Sequence, residues 1–193
     1  MNVCIFAASS DALDAVYFDA AFELGKCIAD GGHSLLFGGG ATGLMGACAR
    51  GVIENGGTVH GVAPRFFDEP GILLRDGCSL FLTDTLAHRK TYMVEKADAF
   101  IALPGGIGTY EEFFETLTLK ALGQHGKPMA LLNTNGYYEP FQAMMNRTAE
   151  KGFMGRSVLD LYALCETPGD ALRAVCSGAS SVPSPRGIDS YGK

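Results

Sequence analysis

The amino-acid sequence predicts an α/β fold with a doubly wound parallel sheet. Two observations support this prediction. Short apolar runs of strand length alternate with longer segments in which apolar residues recur at helical spacing. The short runs are apolar throughout, which is typical of strands buried on both faces of a parallel sheet. The chain has 193 residues and no internal repeat, and we expect a single domain over 1–176.

The predicted strands are apolar runs separated by turn signals. They span residues 2–8, 33–37, 58–63, 78–82, 98–104 and 128–133, and 161–166 is the candidate for a last strand. Residues 64–77, between the third and fourth strands, are predicted to be a loop.

The first predicted helix, 12–30, carries apolar residues at helical spacing and stops at Gly31-Gly32, a C-cap signal. Pro168 opens a last short helix, 168–176, because proline fits the first helical position. Four further helices lie between these two. One follows the second strand and ends near Asn55, and another follows the fourth strand and ends near Ala97. The last two follow the fifth and sixth strands and span about 109–122 and 137–151.

Charge and composition exclude several classes of function. The 21 acidic residues exceed the 15 basic ones and give a net charge of −6, which argues against a general nucleic-acid binder, because phosphate backbones need a basic face. No window reaches the roughly 18 apolar residues of a membrane span. The N-terminal stretch MNVCIFAASS lacks the basic region and the long apolar run of a signal peptide. We therefore expect a cytoplasmic protein that binds neither nucleic acid nor membranes.

The cysteines and histidines predict no metal site. The six cysteines include no CxxC pair, and the four histidines are scattered without ligand spacing, so buried free thiols are expected rather than a zinc site or a disulfide scaffold. The C-terminal segment 177–193 is rich in Ser, Gly and Pro with almost no apolar content, and it is expected to be a disordered tail.

The first of two glycine-rich loops, FGGGATGLMG at 37–46, lies between a predicted strand and a predicted helix. Gly38, Gly40 and Gly43 match the GxGxxG spacing of dinucleotide-binding loops. That kind of site also needs an acid at the end of the next strand to hold the ribose, and here no acid follows that strand before Asp68. The loop also lacks the GK[ST] of a Walker A motif, so neither NAD(P) binding nor a P-loop is favoured.

The second loop, LPGGIGTYEE at 103–112, ends a predicted strand and opens a helix. Gly105, Gly106 and Gly108 let the backbone approach a ligand closely. Thr109 is predicted to begin the helix, whose free amides and dipole make an anion site suited to a phosphate. Glu112 has two possible roles. It fits the last position of a capping box with Thr109 as N-cap, or it is a carboxylate with a separate task beside the phosphate.

Arg89 and Lys90 are predicted to lie on the helix that precedes this loop. Arg89 shares one helix face with Met93 and Lys96, because residues three and four positions apart are neighbours on a helix. A solvated helix surface and a contribution to the anion site are both consistent with this spacing.

The stretch RKTYMVEKADAFIALPGGIGTYEE at 89–112 resembles the paired signature of the LOG proteins, the phosphoribohydrolases that activate cytokinins. That signature joins Arg-Lys, a methionine three residues after the lysine, and PGGxGTxxE. FAASS, FGGGATGLMG, GVAP and LLNTNGYYEPF are similar to further segments of the family, so the resemblance covers about residues 2–165. It implies a Rossmann-like fold, a homodimer or larger assembly, and no cofactor. The implied reaction cleaves the N-glycosidic bond of a nucleoside 5′-monophosphate, with N6-modified adenosine monophosphates as expected substrates.

The resemblance also implies roles for individual residues. Arg89 and Glu112 match the catalytic pair. In the implied reaction Glu112 stabilises the oxocarbenium charge on the ribose and orients the water, while Arg89 holds the phosphate or ribose. Leu86 and Ala87 replace the Met-His usual in the family, which leaves the base preference open. The positions that match nucleotide contacts are Ser9, Gly39, Gly40, Lys90, Gly105, Gly106, Gly108, Thr109, Glu111 and Thr118.

Two competing functions are considered. Proteins of this family have often been labelled lysine decarboxylases, which need pyridoxal phosphate on a Schiff-base lysine. Lys90, Lys96 and Lys120 are predicted to lie on helices without an evident partner for the cofactor's ring nitrogen. A non-enzymatic carrier of a nucleotide or cofactor could use similar glycine loops. The pair of Arg89 and Glu112, which a carrier does not need, favours the hydrolase.

Overall fold

A computed structural model describes residues 1–177 and contains seven strands and six α-helices within them. The strands are β1 (Asn2–Phe6), β2 (Ser34–Phe37), β3 (Thr58–Pro64), β4 (Cys78–Thr83), β5 (Ala99–Ala102), β6 (Met129–Leu132) and β7 (Ala163–Cys165). The helices are α1 (Ala15–Asp30), α2 (Gly43–Glu54), α3 (Leu86–Lys96), α4 (Ile107–Ala121), α5 (Glu139–Glu150) and α6 (Pro168–Cys176). Residues 178–193, nearly all of the expected disordered tail, lie outside the described residues.

The strands form one parallel sheet in the order β4-β3-β2-β1-β5-β6-β7. The chain runs outward from β1 to β4 and then returns to β5, on the other side of β1. This order confirms the predicted doubly wound α/β fold. The loops that follow β1 and β5 separate at the carboxyl ends of these two strands, which creates a crevice at the switch point.

Two hydrophobic layers cover the sheet, and successive side chains of one strand enter different layers. Val3 and Ile5 of β1 pack in the layer that includes α1, α2 and α6. Cys4 and Phe6 pack in the layer that includes α3, α4 and α5. Both faces of the central strands are therefore buried, as their unbroken apolar runs predict.

The structure differs from the predicted elements at three points. The first helix begins at Ala15 instead of residue 12, because Asp14 is extended with φ −64° and ψ 146°. The fourth helix begins at Ile107 instead of Thr109. The predicted loop 64–77 contains a single 3₁₀ turn, Arg65–Phe67, and its later part pairs with the first glycine loop. In that pairing the Leu74 amide donates to the Gly39 carbonyl at 2.8 Å.

Within residues 1–177, no helix has both the length and the hydropathy that crossing a lipid bilayer requires. All six cysteines are free thiols. Cys4, Cys48 and Cys165 are buried as expected, whereas Cys176 is exposed at the end of α6.

Candidate active site

A cleft of about 500 Å³ opens beside the switch point between β1 and β5. Most of its wall comes from the loop after β1 and from the first turns of α3 and α4. The lining residues are Ala7, Ala8, Ser9, Met45, Phe67, Leu86, Arg89, Lys90, Gly106, Ile107, Gly108, Thr109, Glu111 and Glu112. This volume suits a small ligand, since such sites typically measure roughly 300–1,000 Å³. The position also agrees with the rule that doubly wound sheets bind ligands at the carboxyl ends of their strands.

The loop after β5 presents unpaired backbone amides. Within residues 1–177, the five successive N–H groups from Gly105 to Thr109 donate to no other backbone group. Gly106 is the N-cap of α4 in an extended conformation. Gly105 has no room for a side chain, because a β-carbon there would overlap the Thr109 hydroxyl. Free amides and the positive end of the α4 dipole together make a site for an anion.

Of the two roles considered for Glu112, the structure does not contain the capping box with Thr109 as N-cap. Gly106 occupies the N-cap position, so Thr109 is the third residue of α4, where it is buried and lines the cleft. Glu112 lies almost one turn further along the helix, beyond the free amides. Its carboxylate is therefore available for another contact.

That contact is an ion pair between α3 and α4. Nη1 of Arg89 donates to Oε1 of Glu112 at 2.6 Å, and the two side chains are only 12% and 14% exposed. Nε of Arg89 also donates to the Val62 carbonyl at 3.0 Å, near the end of β3. Gly38 packs closely against the guanidinium and leaves room for it, because a β-carbon at this position would overlap Nη2 of Arg89. The guanidinium is thus fixed from three sides, and the Glu112 carboxylate faces the cleft beside it.

Burial raises the pKa of Glu112 above its ordinary value of 4.5, and the Arg89 guanidinium offsets only part of this rise. Removal from water disfavours the charged form of a carboxyl group, while a nearby cation favours it. The net upward direction means that the protein holds this carboxylate in an environment that increases its basicity. Such perturbed groups in clefts are frequent at functional sites.

Lys90 lies next to the pair and is already occupied by carboxylates. Its ammonium group forms ion pairs with Glu111 and, at 2.6 Å, with Glu115. These hydrogen bonds raise the pKa of Lys90. Glu115 had not been predicted as a site residue; its position one helical turn after Glu111 was the available signal. Lys90 lines the cleft, but in this structure it neutralises the acidic face of α4.

The remaining predicted contact positions are divided between the cleft and its surroundings. Ser9 lines the cleft, and its carbonyl accepts a hydrogen bond from the Thr42 hydroxyl at 2.8 Å. Gly39, with φ +78°, and Gly40 belong to the loop that pairs with residues 72–74, and they do not line the cleft. Thr118 is exposed about two turns along α4 from Glu111 and does not line the cleft.

Apolar side chains form one rim of the cleft. Phe67, Leu86 and Ile107 line it and are 43%, 46% and 88% exposed, and the partly buried Met45 lies with them. Sequence reasoning missed Phe67, Met45 and Ile107 as site residues. Phe67 carried no usable signal, because it lies in a segment predicted only as a loop. This rim offers apolar surface to a ligand whose anionic part occupies the amides.

Comparison with known proteins gives a consistent family relationship. Residues 45–175 match a family model described as "Possible lysine decarboxylase". The chain is 37% identical over 177 residues to the cytokinin riboside 5′-monophosphate phosphoribohydrolase of Rhodococcoides fascians, covering 91% of this chain and 89% of that protein. It is also 37% identical over 172 residues to the probable cytokinin riboside 5′-monophosphate phosphoribohydrolase LOGL1 of Oryza sativa subsp. japonica, covering 89% and 77% of the two chains.

Solved structures share the fold at lower identity. The Moco carrier protein from Chlamydomonas reinhardtii superposes with a TM-score of 0.68 at 25% identity, over 91% of this chain and 95% of that one. The molybdenum cofactor binding protein of Rippkaea orientalis gives a TM-score of 0.70 at 20% identity over the same shares. The family model matches more than half of the sequence, and the sequence relatives are covered over most of their length. The chain therefore belongs to the LOG family, whose similar members are named cytokinin riboside 5′-monophosphate phosphoribohydrolases.

Proposed function

We propose that this protein hydrolyses the N-glycosidic bond of N6-modified adenosine 5′-monophosphates and releases the free base and ribose 5-phosphate. The observation that carries the proposal is the arrangement of one cleft. A buried Arg89–Glu112 pair at 2.6 Å lies on one side, and the free amides of Gly105 to Thr109 lie on the other. An anion bound at the amides would bring the group attached to it toward the Glu112 carboxylate.

The chemistry of ribosyl transfer to water fits these residues. Breaking the C1′–N bond leaves positive charge on the sugar ring, and the bond electrons depart with the base, which takes up a proton. Glu112 would stabilise this charge and accept a proton from the attacking water. Its raised pKa, caused first by burial, makes it a stronger base than an exposed glutamate. Arg89 would hold the ribose or phosphate through its guanidinium fork.

Binding energy from the phosphate would position the reacting carbon. The amide cluster lies in the same cleft as Glu112, so contacts remote from the bond that breaks would fix the sugar in place. The protein should therefore prefer a nucleoside 5′-monophosphate to a nucleoside, which has no phosphate for the amides to bind.

The apolar rim supports a base that carries an alkyl group. Phe67, Leu86 and Ile107 expose apolar surface at the cleft, and burial of an isopentenyl group would be favourable there by about 0.8 kcal/mol per buried methylene-sized group. This supports N6-isopentenyl substrates over plain AMP, whose adenine presents a polar amino group instead.

The test is direct incubation of the purified protein with AMP and with isopentenyladenosine monophosphate, followed by chromatography for the free base. We expect both bases to appear, with the modified nucleotide cleaved faster. Glu112→Gln serves as the matched control and is expected to release neither. If the wild-type protein releases no base from either nucleotide, the proposal is wrong.

Lysine decarboxylation, the reaction in the description of the family model, has less support from this cleft. A pyridoxal phosphate enzyme needs a lysine that can form a Schiff base beside the cofactor. Lys90 is the single lysine that lines the cleft within residues 1–177, and two carboxylates hold its ammonium group in the charged form. Lys120 is buried on α4 and donates to the Leu161 carbonyl at 2.8 Å, outside the cleft lining. These lysines do not fit the cofactor.

A nucleotide or cofactor carrier is the second candidate, and the fold relationship to molybdenum cofactor carriers favours it. A carrier needs the anion site but not an activated carboxylate. Calorimetry of the purified protein with AMP, combined with the base-release assay, separates the two functions. Binding without turnover would favour the carrier, while turnover that depends on Glu112 excludes a purely passive role.

We also propose that the protein forms a homodimer. The resemblance to the family implies an assembly of this kind. Phe81 of β4, which is 40% exposed and stacks at 4.2 Å on the partly buried Tyr92 of α3, offers apolar surface for it. Light scattering at micromolar concentration should give twice the chain mass of 20.4 kDa. A stable monomer in that measurement would contradict the proposal.

A further inference from the structure

Three successive carbonyl groups of the loop after β5 are held by donors from other parts of the chain. The Tyr138 hydroxyl donates to the Leu103 carbonyl at 2.6 Å. The Ala8 amide donates to the Pro104 carbonyl at 3.1 Å. The Tyr137 hydroxyl donates to the Gly105 carbonyl at 2.6 Å. The amides that follow, from Gly105 to Thr109, are free. The segment is therefore held in place through its carbonyl groups, and its N–H groups are available to a ligand.

The hydrogen bond from Tyr137 sets the direction of one particular amide. A trans peptide unit is planar, and its C=O and N–H point in opposite directions. The structure contains no cis peptide in residues 1–177. The Gly105 carbonyl points to the Tyr137 hydroxyl, which does not line the cleft, so the Gly106 N–H points away from Tyr137. Gly106 itself lines the cleft.

This peptide needs an external constraint because glycine lies on both sides of it. Without β-carbons, rotation of the unit between Gly105 and Gly106 meets little steric resistance. Nothing lies within 4 Å of the position that a β-carbon on Gly106 would occupy. If the unit turned over, the carbonyl oxygen of Gly105 would face the anion site in place of the Gly106 amide. The Tyr137 hydroxyl is the contact that opposes this rotation.

Tyr137 is itself held firmly by its neighbours. It follows a tight turn in which Asn135 has φ 54° and Gly136 has φ 71°. Its ring meets Tyr17 edge to face at 6.1 Å and Tyr138 at 5.1 Å. The hydroxyl of Tyr137 therefore has a fixed position from which to hold the loop.

We propose that Tyr137 is a positioning residue that holds the Gly105–Gly106 peptide so that its N–H faces the 5′-phosphate of the substrate. This inference rests on the proposed function, because it assigns the phosphate of that substrate to the amides of the same loop. Tyr137 acts through the peptide and does not contact the substrate.

The test compares two ligands that probe different parts of the cleft. Tyr137→Phe removes one hydroxyl and keeps the ring that packs on Tyr17 and Tyr138. We expect its affinity for ribose 5-phosphate, measured by calorimetry, to fall roughly tenfold, as for loss of one hydrogen bond to a charged group. The KM for isopentenyladenosine monophosphate should rise by a similar factor with kcat within about twofold of wild type. Affinity for adenine alone should not change.

Tyr162→Phe is the matched control. Its hydroxyl bonds to Gln142 at 3.0 Å, away from the glycine loop, so its removal should change neither ligand's affinity. Gly106→Pro is the second variant, because it deletes the same N–H directly. The Gly106 φ of −88° is near the range of proline, and a side chain there meets no atom within 4 Å. If Tyr137→Phe does not fold, unchanged ribose 5-phosphate binding by Gly106→Pro overturns the inference, because the amide that Tyr137 would position then has no role. Selective loss of that binding supports the part of the inference that assigns the phosphate to the Gly106 N–H.

The possible outcomes distinguish this inference from the proposed function. Wild-type protein that neither binds ribose 5-phosphate nor releases base would overturn the proposed function, and the role of Tyr137 with it. Wild-type turnover together with unchanged ribose 5-phosphate affinity in Tyr137→Phe would overturn the role of Tyr137 alone. Equal losses of affinity for ribose 5-phosphate and adenine would also overturn it, because a general collapse of the cleft, not one amide, would then explain the effect.

Discussion

Glu112→Gln removes the negative charge that faces Arg89 and keeps the size of the side chain. The glutamine side chain keeps a hydrogen-bond donor, because its amide oxygen can accept from Nη1 of Arg89, as Oε1 of Glu112 does at 2.6 Å. What is lost is the charge that would stabilise the oxocarbenium ion and the base that would take a proton from water. General base catalysis alone contributes about 10²- to 10⁴-fold, so we expect kcat to fall by at least this factor. Nucleotide binding should persist, since the amides of the glycine loop are untouched.

The same substitution should lower activity without lowering the stability of the folded protein. Burial raises the pKa of Glu112 in the folded protein, so folding favours the protonated form. The contribution of this group to stability is present in full at low pH and is lost as the pH rises through the raised pKa. At neutral pH the carboxylate therefore stabilises the folded protein less than its own protonated form would, and the neutral amide of Gln resembles that form. Gln at this position should leave the Tm at or above that of the wild type, whereas loss of a purely structural buried pair would lower it by about 6 to 20 °C.

The assay combines base release, AMP calorimetry and thermal unfolding of the two proteins at pH 7. An inactive, nucleotide-binding and fully stable Glu112→Gln protein is the expected result. Turnover within tenfold of the wild type would refute the catalytic role. A large fall in Tm would refute the argument from the pKa and show that Glu112 holds α3 and α4 together.

Three further predictions follow from the same geometry. The kcat/KM for nucleotide should rise with pH as Glu112 loses its proton, and the midpoint of this rise should lie above 4.5. A midpoint at or below 4.5 would contradict the upward direction of the pKa shift. Gly38→Ala should displace Arg89 and lower kcat/KM by roughly 100-fold, while Gly169→Ala, on α6 far from the cleft, should have wild-type kinetics. Lys90→Ala should raise the KM about two- to fivefold, because two α4 carboxylates lose their counter-ion near the anion site. That increase should shrink as salt is added, and a KM independent of salt would count against the electrostatic cause.

The sequence predicted the sheet well because its strands are buried on both faces. A strand such as Ala99–Ala102 must be apolar at every position, and this produces a run that needs no structural context to recognise. The start of α4 was harder to predict. Gly106 and Thr109 are both acceptable N-cap residues, and T-x-x-E is a real capping pattern. The local sequence could not choose between them; the choice depends on the path of the loop after β5, which Tyr137 and Tyr138 fix from more than 30 residues away.

The site was predicted in part for a similar reason. Arg89 and Glu112 could be named from the motif, but their contact depends on α3 and α4 lying side by side on one face of the sheet. The ion pairs of Lys90 could not be predicted locally, because its partners Glu111 and Glu115 belong to another helix. Phe67 is a lining residue only because the segment after β3 turns back over the cleft. Contacts between elements distant in sequence are the information that local patterns lack.

The choice between hydrolase and carrier depends on what the Arg89–Glu112 pair does for the protein. A buried ion pair is weak evidence for stability, because the loss of hydration offsets much of the attraction between the charges. Here the raised pKa of Glu112 indicates that burial outweighs its attraction to Arg89, so stability does not explain why a carboxylate lies there. An anion carrier gains nothing from it either, since a negative charge in the cleft repels the ligand that the amides attract. A reaction that develops positive charge on the ligand is the circumstance in which this carboxylate becomes an advantage, and hydrolysis of a ribosyl bond is such a reaction.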